Sequence, residues 1–565
     1  MKKFNKTLYV AGMVAATLGL GSCVGDLDLL PSDPNQLTPS EFPKDPKKYM
    51  DALIGDVYLN YATYGANGDA TVKGFDGGMS TFQRAAFILE EIPSDETNWL
   101  ATADVDYGDF QYGIVPSNNR AVFGTYSRFM INVTLCNDFI QTIDNGYFGE
   151  LDAELTKRAN EFKRQARILR AGSYFYLIDC FGNAPYADEN TPTGTIAPQL
   201  GRAELFNRIV ADLEAVVADY KANPEPTHLN YVGVETAQAL LVKYYLNAGV
   251  YTGTDMYDKA LRHAQDLIAT LGHGGYENSG LVKHYNNLFG ANNDQYAIGG
   301  ASDANEIIWY IPQANTNDEG QGLLSYANGD FMINGFLASS TDDSPWKITL
   351  SDYNTTGQWK CMTARTPLVE AFDWLDDEMS VSADSRTKWW LTSAQGFTLA
   401  NEAYDQDHYG QNGYIPLKYT NWAFTDNGDV DRDNSPAAIE HPRVGYAMIR
   451  LAEIYLSAAE AILKTGGDKA TALTYVNYVR GRAGLDPWTS QELTETTLRG
   501  ERQRELYTEC CRRTDLIRYG LWTSGYNWDW KNKTRYGADF ASNFDLYPIP
   551  SQFVDLAGYQ QNPNY

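Results

Sequence analysis

The clearest pattern along the chain is a helical repeat of apolar positions in its C-terminal third. Apolar side chains recur there at the three- and four-residue spacing that places them on one helix face, at Leu451, Ile454, Tyr455, Ala458, Ala459, Ile462 and Leu463. Gly466-Gly467 predicts the end of this helix, and Asp468 predicts the N-cap of a second helix over 470–482. The two segments therefore predict a helical hairpin.

Earlier stretches have a similar pattern. Residues 236–251 and 257–271 are periodic and are separated by a short turn, and residues 153–181 predict a longer helix. Small Ala and Gly residues at helix contacts, interleaved with Tyr, are typical of tetratricopeptide-like hairpins, which stack to bury a shared face. The predicted fold class is mainly α, with such hairpins as the scaffold.

Residues 290–440 differ from these helical stretches. They are rich in Gly, Asn, Asp, Thr and Trp, and short apolar pieces such as 306–311 predict isolated strands between long loops. Long loops in compact proteins are more often functional than decorative. We therefore expect a loop-rich, short-strand insertion that carries much of the specificity.

Composition narrows the class of ligand. The 565 residues include 45 Lys and Arg against 72 Asp and Glu, a formal net charge of −27. Nucleic acid is not an expected partner, because neutralising phosphates requires clustered Lys and Arg. The 39 Tyr, 23 Phe and 12 Trp supply rings that suit wet binding surfaces as well as cores. This balance favours a folded, secreted-type protein with a neutral ligand.

The N-terminus predicts export and lipid attachment. Three lysines in the first six residues precede an uncharged apolar segment, 8–20, that is too short to span a bilayer as a mature helix. It ends in Leu20-Gly-Ser-Cys23, which is typical of a bacterial lipoprotein processing site. We expect a signal peptide over 1–22, lipid on Cys23, a tether over 23–45 and one domain over 46–565. An ordinary secretory signal is the alternative.

An ordered set of motifs extends along almost the whole chain. The motifs lie at residues 164–179, 181–186, 246–253, 449–461, 501–507, 512–520 and 547–550. Together with the lipoprotein start, they make the chain similar to the SusD/RagB family, which are surface glycan-binding lipoproteins of the Bacteroidetes and partners of SusC-like TonB-dependent transporters. The resemblance is closest to the starch-binding member in 246–253 and in the sequence Asn-Trp-Asp-Trp at 527–530.

The resemblance implies a SusD-like fold and a non-catalytic role. The protein would be lipid-anchored at the outer-membrane surface, capture starch-like oligosaccharide or polysaccharide, and deliver it to a SusC-like TonB-dependent transporter. Two alternatives stay open: a binder of another glycan or of glycoprotein or peptide cargo, and a glycoside hydrolase. A hydrolase would need two carboxylates about 5–10 Å apart, and Asp76 with Asp104 is the least implausible pair.

Sugar recognition requires aromatic rings for the apolar face of the sugar and polar groups for its hydroxyls. By position, the resemblance implies stacking by Trp99 and Trp359, and polar contacts from Asp76, Arg84 and Asp104. Packing in the core is the alternative for each of the two tryptophans. Asp104 stands where the family member has an asparagine, so it can accept but not donate a hydrogen bond when ionised.

The chain also departs from the family pattern at two aromatic positions. A second family tryptophan, two positions after the first, is replaced by Ala101. The family's stacking tyrosine aligns with Gln321, and Tyr326 is close enough to substitute for it. We therefore expect a smaller or rebuilt aromatic arc.

No cofactor is expected, and calcium is the one metal with sequence support. Residues 426–434 concentrate oxygen ligands in a short loop, as calcium prefers, although the complete EF-hand pattern is missing. The resemblance adds Asp294 as a candidate ligand, while its companion aspartates are replaced near Arg443 and Gly445. A solvated acidic loop is the alternative.

Three arginines share one side of the helix predicted over 153–181. Arg164, Arg167 and Arg170 are spaced three residues apart. We expect structural ion pairs rather than ligand contacts, with Glu501, Glu505 and Asp515 as the partners.

Overall fold

The computed structural model describes residues 39–63, 81–101, 105–192, 194–313, 328–337, 340, 344, 346–399, 413–442 and 444–565. Its helices are α1 (Pro46–Ala62), α2 (Phe82–Glu90), α3 (Val105–Tyr112), α4 (Arg120–Asp144), α5 (Ala153–Tyr176), α6 (Arg202–Ala222), α7 (Val234–Leu246), α8 (Ala248–Thr252), α9 (Tyr257–Leu271), α10 (Asn328–Asn334), α11 (Thr366–Glu370), α12 (Leu451–Thr465), α13 (Lys469–Arg482), α14 (Glu495–Leu506), α15 (Arg512–Arg518) and α16 (Ser551–Ala557). Its strands are β1 (Thr97–Trp99), β2 (Ala184–Pro185), β3 (Gln199–Leu200), β4 (Ile307–Ile311), β5 (Met362–Ala364), β6 (Ala423–Phe424), β7 (Val430–Asp431) and β8 (Tyr446–Arg450).

The helices stack into one continuous scaffold. Helix α4 packs on α5, α5 on α6, α6 on α7, α7 on α9, α9 on α12, and α12 on both α13 and α14. Because each helix covers the apolar face of the next, no hairpin in this stack has to be stable alone. The mainly α, hairpin-based scaffold predicted from the periodicity is confirmed.

The hairpin α12–α13 shows how the local sequence sets the boundaries. Gly466 ends α12 in the left-handed region (φ 66°), which costs glycine little. The Asp468 carboxylate then accepts a hydrogen bond from the Ala470 N–H at 3.1 Å and caps α13. Both boundaries agree with the sequence prediction.

Two helices end earlier than the pattern predicted. The segment 236–251 divides at Asn247, whose side-chain amide donates to the Lys243 carbonyl at 2.9 Å. The segment 153–181 is α-helical only to Tyr176 and continues as a π-helical turn over Leu177–Phe181. Apolar periodicity continues through both positions because it reports which face is buried, not which backbone hydrogen bond is made.

The loop-rich insertion is closed at its base by two antiparallel strands. β4 pairs with β8, with Ile307 opposite Arg450 and Ile311 opposite Tyr446. Between them the described chain forms only short helices and two- or three-residue strands. One of these strands, β5, pairs with β1 and ties the insertion to the N-terminal part of the fold. The predicted short-strand insertion is therefore confirmed.

The predicted partners of the three α5 arginines are wrong. Arg164 pairs with Glu161 at 2.7 Å, and Arg167 and Arg170 both bind Asp212 on α6. The reason is that α6 lies against this side of α5 and supplies Asp212, while Glu161 lies one turn before Arg164 on α5 itself. The pairs are structural, as expected: Arg170 is only 3% exposed and lies within the stack.

Glu501 and Glu505 instead lie at the centre of a buried ion-pair network. They bind five arginines from separate parts of the chain, Arg386, Arg450, Arg480, Arg482 and Arg504. Burial alone would raise the pKa of Glu501, but Arg386 and its neighbouring guanidinium groups hold that pKa far below its usual range. The network joins the insertion, β8, α13 and α14 into one unit.

The C-terminal segment and the first described residues also pack on the helical scaffold. Tyr547 and Ile549 are fully buried, and the Tyr547 N–H donates to the Cys180 carbonyl at 2.8 Å, so the proline-containing segment 547–550 is part of the packed core. At the other end Phe42 is buried and stacks on Phe148 at a centroid distance of 5.3 Å. None of the helices in the described ranges is long and apolar enough to cross a bilayer.

Candidate functional site

The two tryptophans predicted to stack on sugar are brought to one edge of the fold by β1 and β5. Trp99, the last residue of β1, lies opposite Met362 in the antiparallel pair. The Leu100 N–H extends the pairing by donating to the Cys361 carbonyl at 2.7 Å. Trp359 lies three residues before β5, so the pairing places both indoles in the same region.

Trp359 and Arg84 are in direct contact. The Arg84 guanidinium carbon lies 4.3 Å from the centroid of Phe331 and 5.5 Å from that of Trp359. Arg84 belongs to α2, which begins at the Thr81 cap, and Phe331 is a buried residue of α10. Cation–π contacts of this kind contribute about 0.5–2 kcal/mol. They hold the Trp359 ring in place while part of it stays exposed.

Trp99 has a different environment. Its side chain is only 4% exposed, packed edge-to-face against Tyr107 at 5.0 Å, and its indole N–H donates to the Ala101 carbonyl at 3.1 Å. Its backbone N–H donates to the side chain of Gln111. A ring enclosed in this way presents no flat face to a sugar. Its stacking role stays a prediction, and the burial counts against it.

Asp76, Asp104 and Tyr326 lie outside the described residues, as does Cys23. The predicted site residues whose geometry is described are therefore Arg84, Trp99 and Trp359.

Sequence reasoning missed a second cation–ring contact beside Trp359. The Lys360 ammonium lies 4.2 Å from the centroid of Trp346, which is buried and stacks on Phe397 at 6.0 Å. Lys360 has a left-handed backbone (φ 53°), and partial burial lowers its pKa. The sequence carries no signal for the Lys360–Trp346 contact, because this contact depends on how two loops fold together. It fixes the Lys360 side chain against Trp346, directly after Trp359 in the chain.

The segment leading into β1 is held by buried carboxylates. Arg512 binds Asp95 through two hydrogen bonds of 2.7 Å, and the Tyr526 hydroxyl donates to the same carboxylate at 2.7 Å. Burial raises the pKa of Glu91 to about 7. Burial and the adjacent Glu91 raise the pKa of Glu96 well above its usual range. A protonated carboxyl can donate a hydrogen bond to an ionised neighbour, which lets two acids share one buried space.

Within the described residues, one set of metal-type ligands comes close together: Glu90, Asp179 and Cys180. Arg513 enters this set, with Nη1 2.8 Å from Asp179, and supplies the positive charge that a metal ion would supply. Burial, and then Asp179, raise the pKa of Glu90 to about 8. The cluster is therefore a structural ion-pair site.

The oxygen-rich loop predicted as a calcium site forms the turn between β6 and β7 and its continuation. Asp431 accepts hydrogen bonds from the backbone and the side-chain amide of Asn434, and Asp426 and Asp433 are exposed. Asp294 is also exposed, and Arg443 lies outside the described residues. Calcium binding stays a prediction.

The comparison with known proteins covers the whole chain. The signature of the SusD family matches residues 398–565. The starch-binding protein SusD of Bacteroides thetaiotaomicron is 30% identical, with 100% of this chain and 99% of that protein covered. The SusD-like protein P25 of Formosa agariphila is 23% identical over 88% of each chain.

Solved structures share the fold at low sequence identity. The surface glycan-binding protein A of Bacteroides fluxus superposes with a TM-score of 0.64, 16% identity, and coverage of 92% of this chain and 99% of that one. The protein of the same name from Bacteroides thetaiotaomicron, solved in complex with laminarihexaose, has a TM-score of 0.62 and 19% identity, with coverage of 92% and 100%.

Proposed function

Because this chain belongs to the SusD family, we propose that it is a non-catalytic, surface-exposed lipoprotein that binds a neutral glucan, with starch-like chains as the first choice. The observation that carries the proposal is the geometry at Trp359. One side of the indole is fixed by Arg84 and Phe331, while part of the ring stays exposed at the β1–β5 edge. A rigid, partly exposed ring beside a cationic donor fits the apolar face and hydroxyl rim of a pyranose.

Two relatives support a glucan as the ligand. The relative with 30% identity is named as starch-binding, and one structural neighbour was solved with laminarihexaose. Both ligands are uncharged polymers or oligomers of glucose. A net charge of −27 suits such ligands better than anionic polysaccharides, which the protein's overall field would repel.

The proposal includes a cellular location and a partner protein. Lipid on Cys23 would hold the protein at the outer membrane, and a SusC-like TonB-dependent transporter would receive the glycan. The support is the sequence Leu20-Gly-Ser-Cys23 after an apolar segment, and membership of the family. No cofactor is proposed, and calcium on the oxygen-rich loop 426–434 is the alternative.

A glycan panel tests the proposal. The purified protein is run through native gels containing amylopectin, laminarin, fructan, xylan or mucin, and reducing ends are measured after incubation with each polymer. Retardation by amylopectin or laminarin without release of reducing ends supports a glucan binder. Release of sugar would make the protein a hydrolase. Retardation only by mucin, or by no polymer, would contradict the glucan proposal and favour glycoprotein or peptide cargo.

A further inference from the structure

Two neighbouring cavities lie on the helical scaffold, on either side of α5. The larger, of about 730 Å³, lies between the ends of α4 and α6 and the first half of α5. The smaller, of about 260 Å³, lies between α5, Lys47 of α1 and the loop that joins α6 to α7. Lys157 and Glu225 line both cavities, and their 2.6 Å salt bridge marks the boundary. Neither cavity is lined by residues of β1, β5 or α10.

The smaller cavity contains an exposed aromatic ring. Tyr231 is 40% exposed, although two other aromatic residues pack against it. Tyr58 packs against it edge-to-face at 5.2 Å, and the buried Phe162 lies nearly parallel to it, at 6.4 Å and 19°. These contacts cover one edge and one face of the Tyr231 ring and leave the rest of the ring exposed.

The ring is fixed before any ligand arrives. The Tyr58 hydroxyl donates to the Gln165 side chain at 2.9 Å and accepts from the Val232 N–H at 3.0 Å. Val232 directly follows Tyr231, so this hydrogen bond fixes the backbone on which the ring stands. A ligand that stacks here would lose little free energy in ordering the protein.

The charges around the cavities are balanced. The larger cavity is lined by four cations and four carboxylates: Lys157, Lys163, Arg164, Arg167, Asp144, Glu189, Asp219 and Glu225. Lys163 pairs with Asp144 at 2.9 Å, and Arg164 with Asp219 at 3.3 Å. A charged ligand would have to break such pairs, whereas a neutral ligand can add hydrogen bonds to their exposed atoms. A neutral ligand with many hydroxyl groups and one apolar face matches the lining of both cavities.

We infer that the two cavities form a second binding site for a neutral oligosaccharide, with Tyr231 as the stacking ring and the Lys157–Glu225 pair as the hydroxyl-binding bridge. The inference rests on the proposed glucan-binding function and adds a site that is separate from Trp359. Two sites on one chain would hold a polymer more tightly than either alone, because the second contact is intramolecular once the first is made.

The test counts binding sites on the full chain by isothermal titration with maltoheptaose and with laminarihexaose. The wild type is expected to bind two molecules of one of these sugars. In Trp359→Ala only one site should keep its wild-type affinity, and in the double variant Trp359→Ala/Tyr231→Ala neither site should keep it. Tyr231→Ala should weaken the second site about fivefold to thirtyfold, and Tyr231→Phe, which keeps the ring, less than threefold. In a hydrogen-exchange experiment, the sugar should protect residues 225–232 in the Trp359→Ala protein.

Tyr147→Ala is the matched control, since this tyrosine is also exposed (47%) but lines neither cavity. It should leave both sites unchanged, and circular dichroism should show every variant to be folded. A single site that is lost in Trp359→Ala and unchanged in Tyr231→Ala would overturn the second site and leave the proposed function standing. Binding of neither sugar by the wild type would overturn both.

Discussion

Arg512 and Asp95 form a bidentate ion pair, with Nε and Nη2 of the arginine each 2.7 Å from a carboxylate oxygen. Asp95 is completely buried and lies four residues before Trp99. Burial would raise the pKa of Asp95, but Arg512 outweighs burial and holds that pKa below its usual range. The pair fixes the segment that leads into β1, and thereby one strand of the candidate site.

Asp95→Asn should destabilise the protein because it leaves the Arg512 charge buried without its counter-charge. Removing one partner of a buried pair costs about 3–5 kcal/mol. We expect a loss of that size in the free energy of unfolding, measured by urea denaturation. Arg120→Ala is the control: the Arg120 side chain, which pairs with Asp106, is 69% exposed, and the loss should stay below about 1 kcal/mol. Equal losses in the two variants would contradict this account of the buried pair.

Trp359→Ala should weaken glucan binding at the β1–β5 edge. Loss of one stacking ring is expected to cost about 1–2 kcal/mol, or about fivefold to thirtyfold in affinity. Affinity electrophoresis in amylopectin or laminarin gels measures the change. Trp488→Ala is the control, since Trp488 is also partly exposed but packs under Arg480 at the far end of α13. Weakened binding in Trp488→Ala with full binding in Trp359→Ala would move the site to the scaffold.

Glu91 should make the protein less stable as the pH rises from about 4.5 to about 7. Below this window both the folded and the unfolded states hold the proton. Within the window only the folded state holds it, because burial raises the pKa of Glu91 from 4.5 to about 7. Stability is lost at up to about 1.4 kcal/mol per pH unit, and the loss ends above the folded-state pKa.

The measurement for Glu91 is the difference in unfolding free energy between the wild type and Glu91→Gln, followed from pH 4.5 to 9. That difference should fall across the window and then become constant. For Glu90→Gln the fall should continue to about pH 8, because the pKa of Glu90 is raised to about 8. A difference that stays constant from pH 4.5 to 9 in both variants would show that these carboxyls are ionised in the folded protein.

Gly172 allows α5 to lie close to β4. A Cβ atom there would come within 2.5 Å of the Trp309 ring. Gly172→Ala should therefore destabilise the protein by about 1–3 kcal/mol through overpacking, although alanine favours helix by about 1 kcal/mol. Gly55→Ala in α1, where no atom lies within 4 Å, should instead stabilise it by about 0.5–1 kcal/mol. Thermal unfolding of the two variants measures these opposite shifts, and stabilisation by both would disprove the close contact.

Cys23→Ala should release the protein from membranes without unfolding it. The expected readout is a shift from the membrane fraction to the soluble fraction, with an unchanged circular dichroism spectrum. Ser22→Ala, which keeps a small residue before the cysteine, should remain in the membrane fraction. Membrane association that survives in Cys23→Ala would contradict anchoring through lipid on this residue.

The scaffold was predictable because its signals are local. The periodicity of 451–463, the Gly466 stop and the Asp468 cap lie within a few residues of the structures they specify. The partners of Arg164, Arg167 and Arg170 were not predictable in the same way. Helical spacing shows which face a side chain occupies, but the neighbouring helix decides which carboxylate it meets.

The candidate site was predictable in part. Family resemblance selected Arg84 and Trp359, and the structure brings these two into contact. Phe331, Trp346 and Lys360 have no sequence signal, because their positions depend on how the insertion folds onto α2 and on the three-residue pairing of β1 with β5. The Arg84–Phe331 contact and the β1–β5 pairing join segments more than 200 residues apart, whereas the Lys360–Trp346 contact depends on how two loops of the insertion meet.

The buried charge network has a consequence for how the chain reaches its native state. Glu306 is synthesised long before its counter-ions Arg450 and Arg482, and Arg386 precedes Glu501 and Glu505 by more than a hundred residues. Contacts this distant in sequence must form across large closed loops, whose entropy slows folding. A nascent chain that lacks α14 would have to leave these arginines hydrated, so the cooperative collapse of the insertion should wait for the last hundred residues.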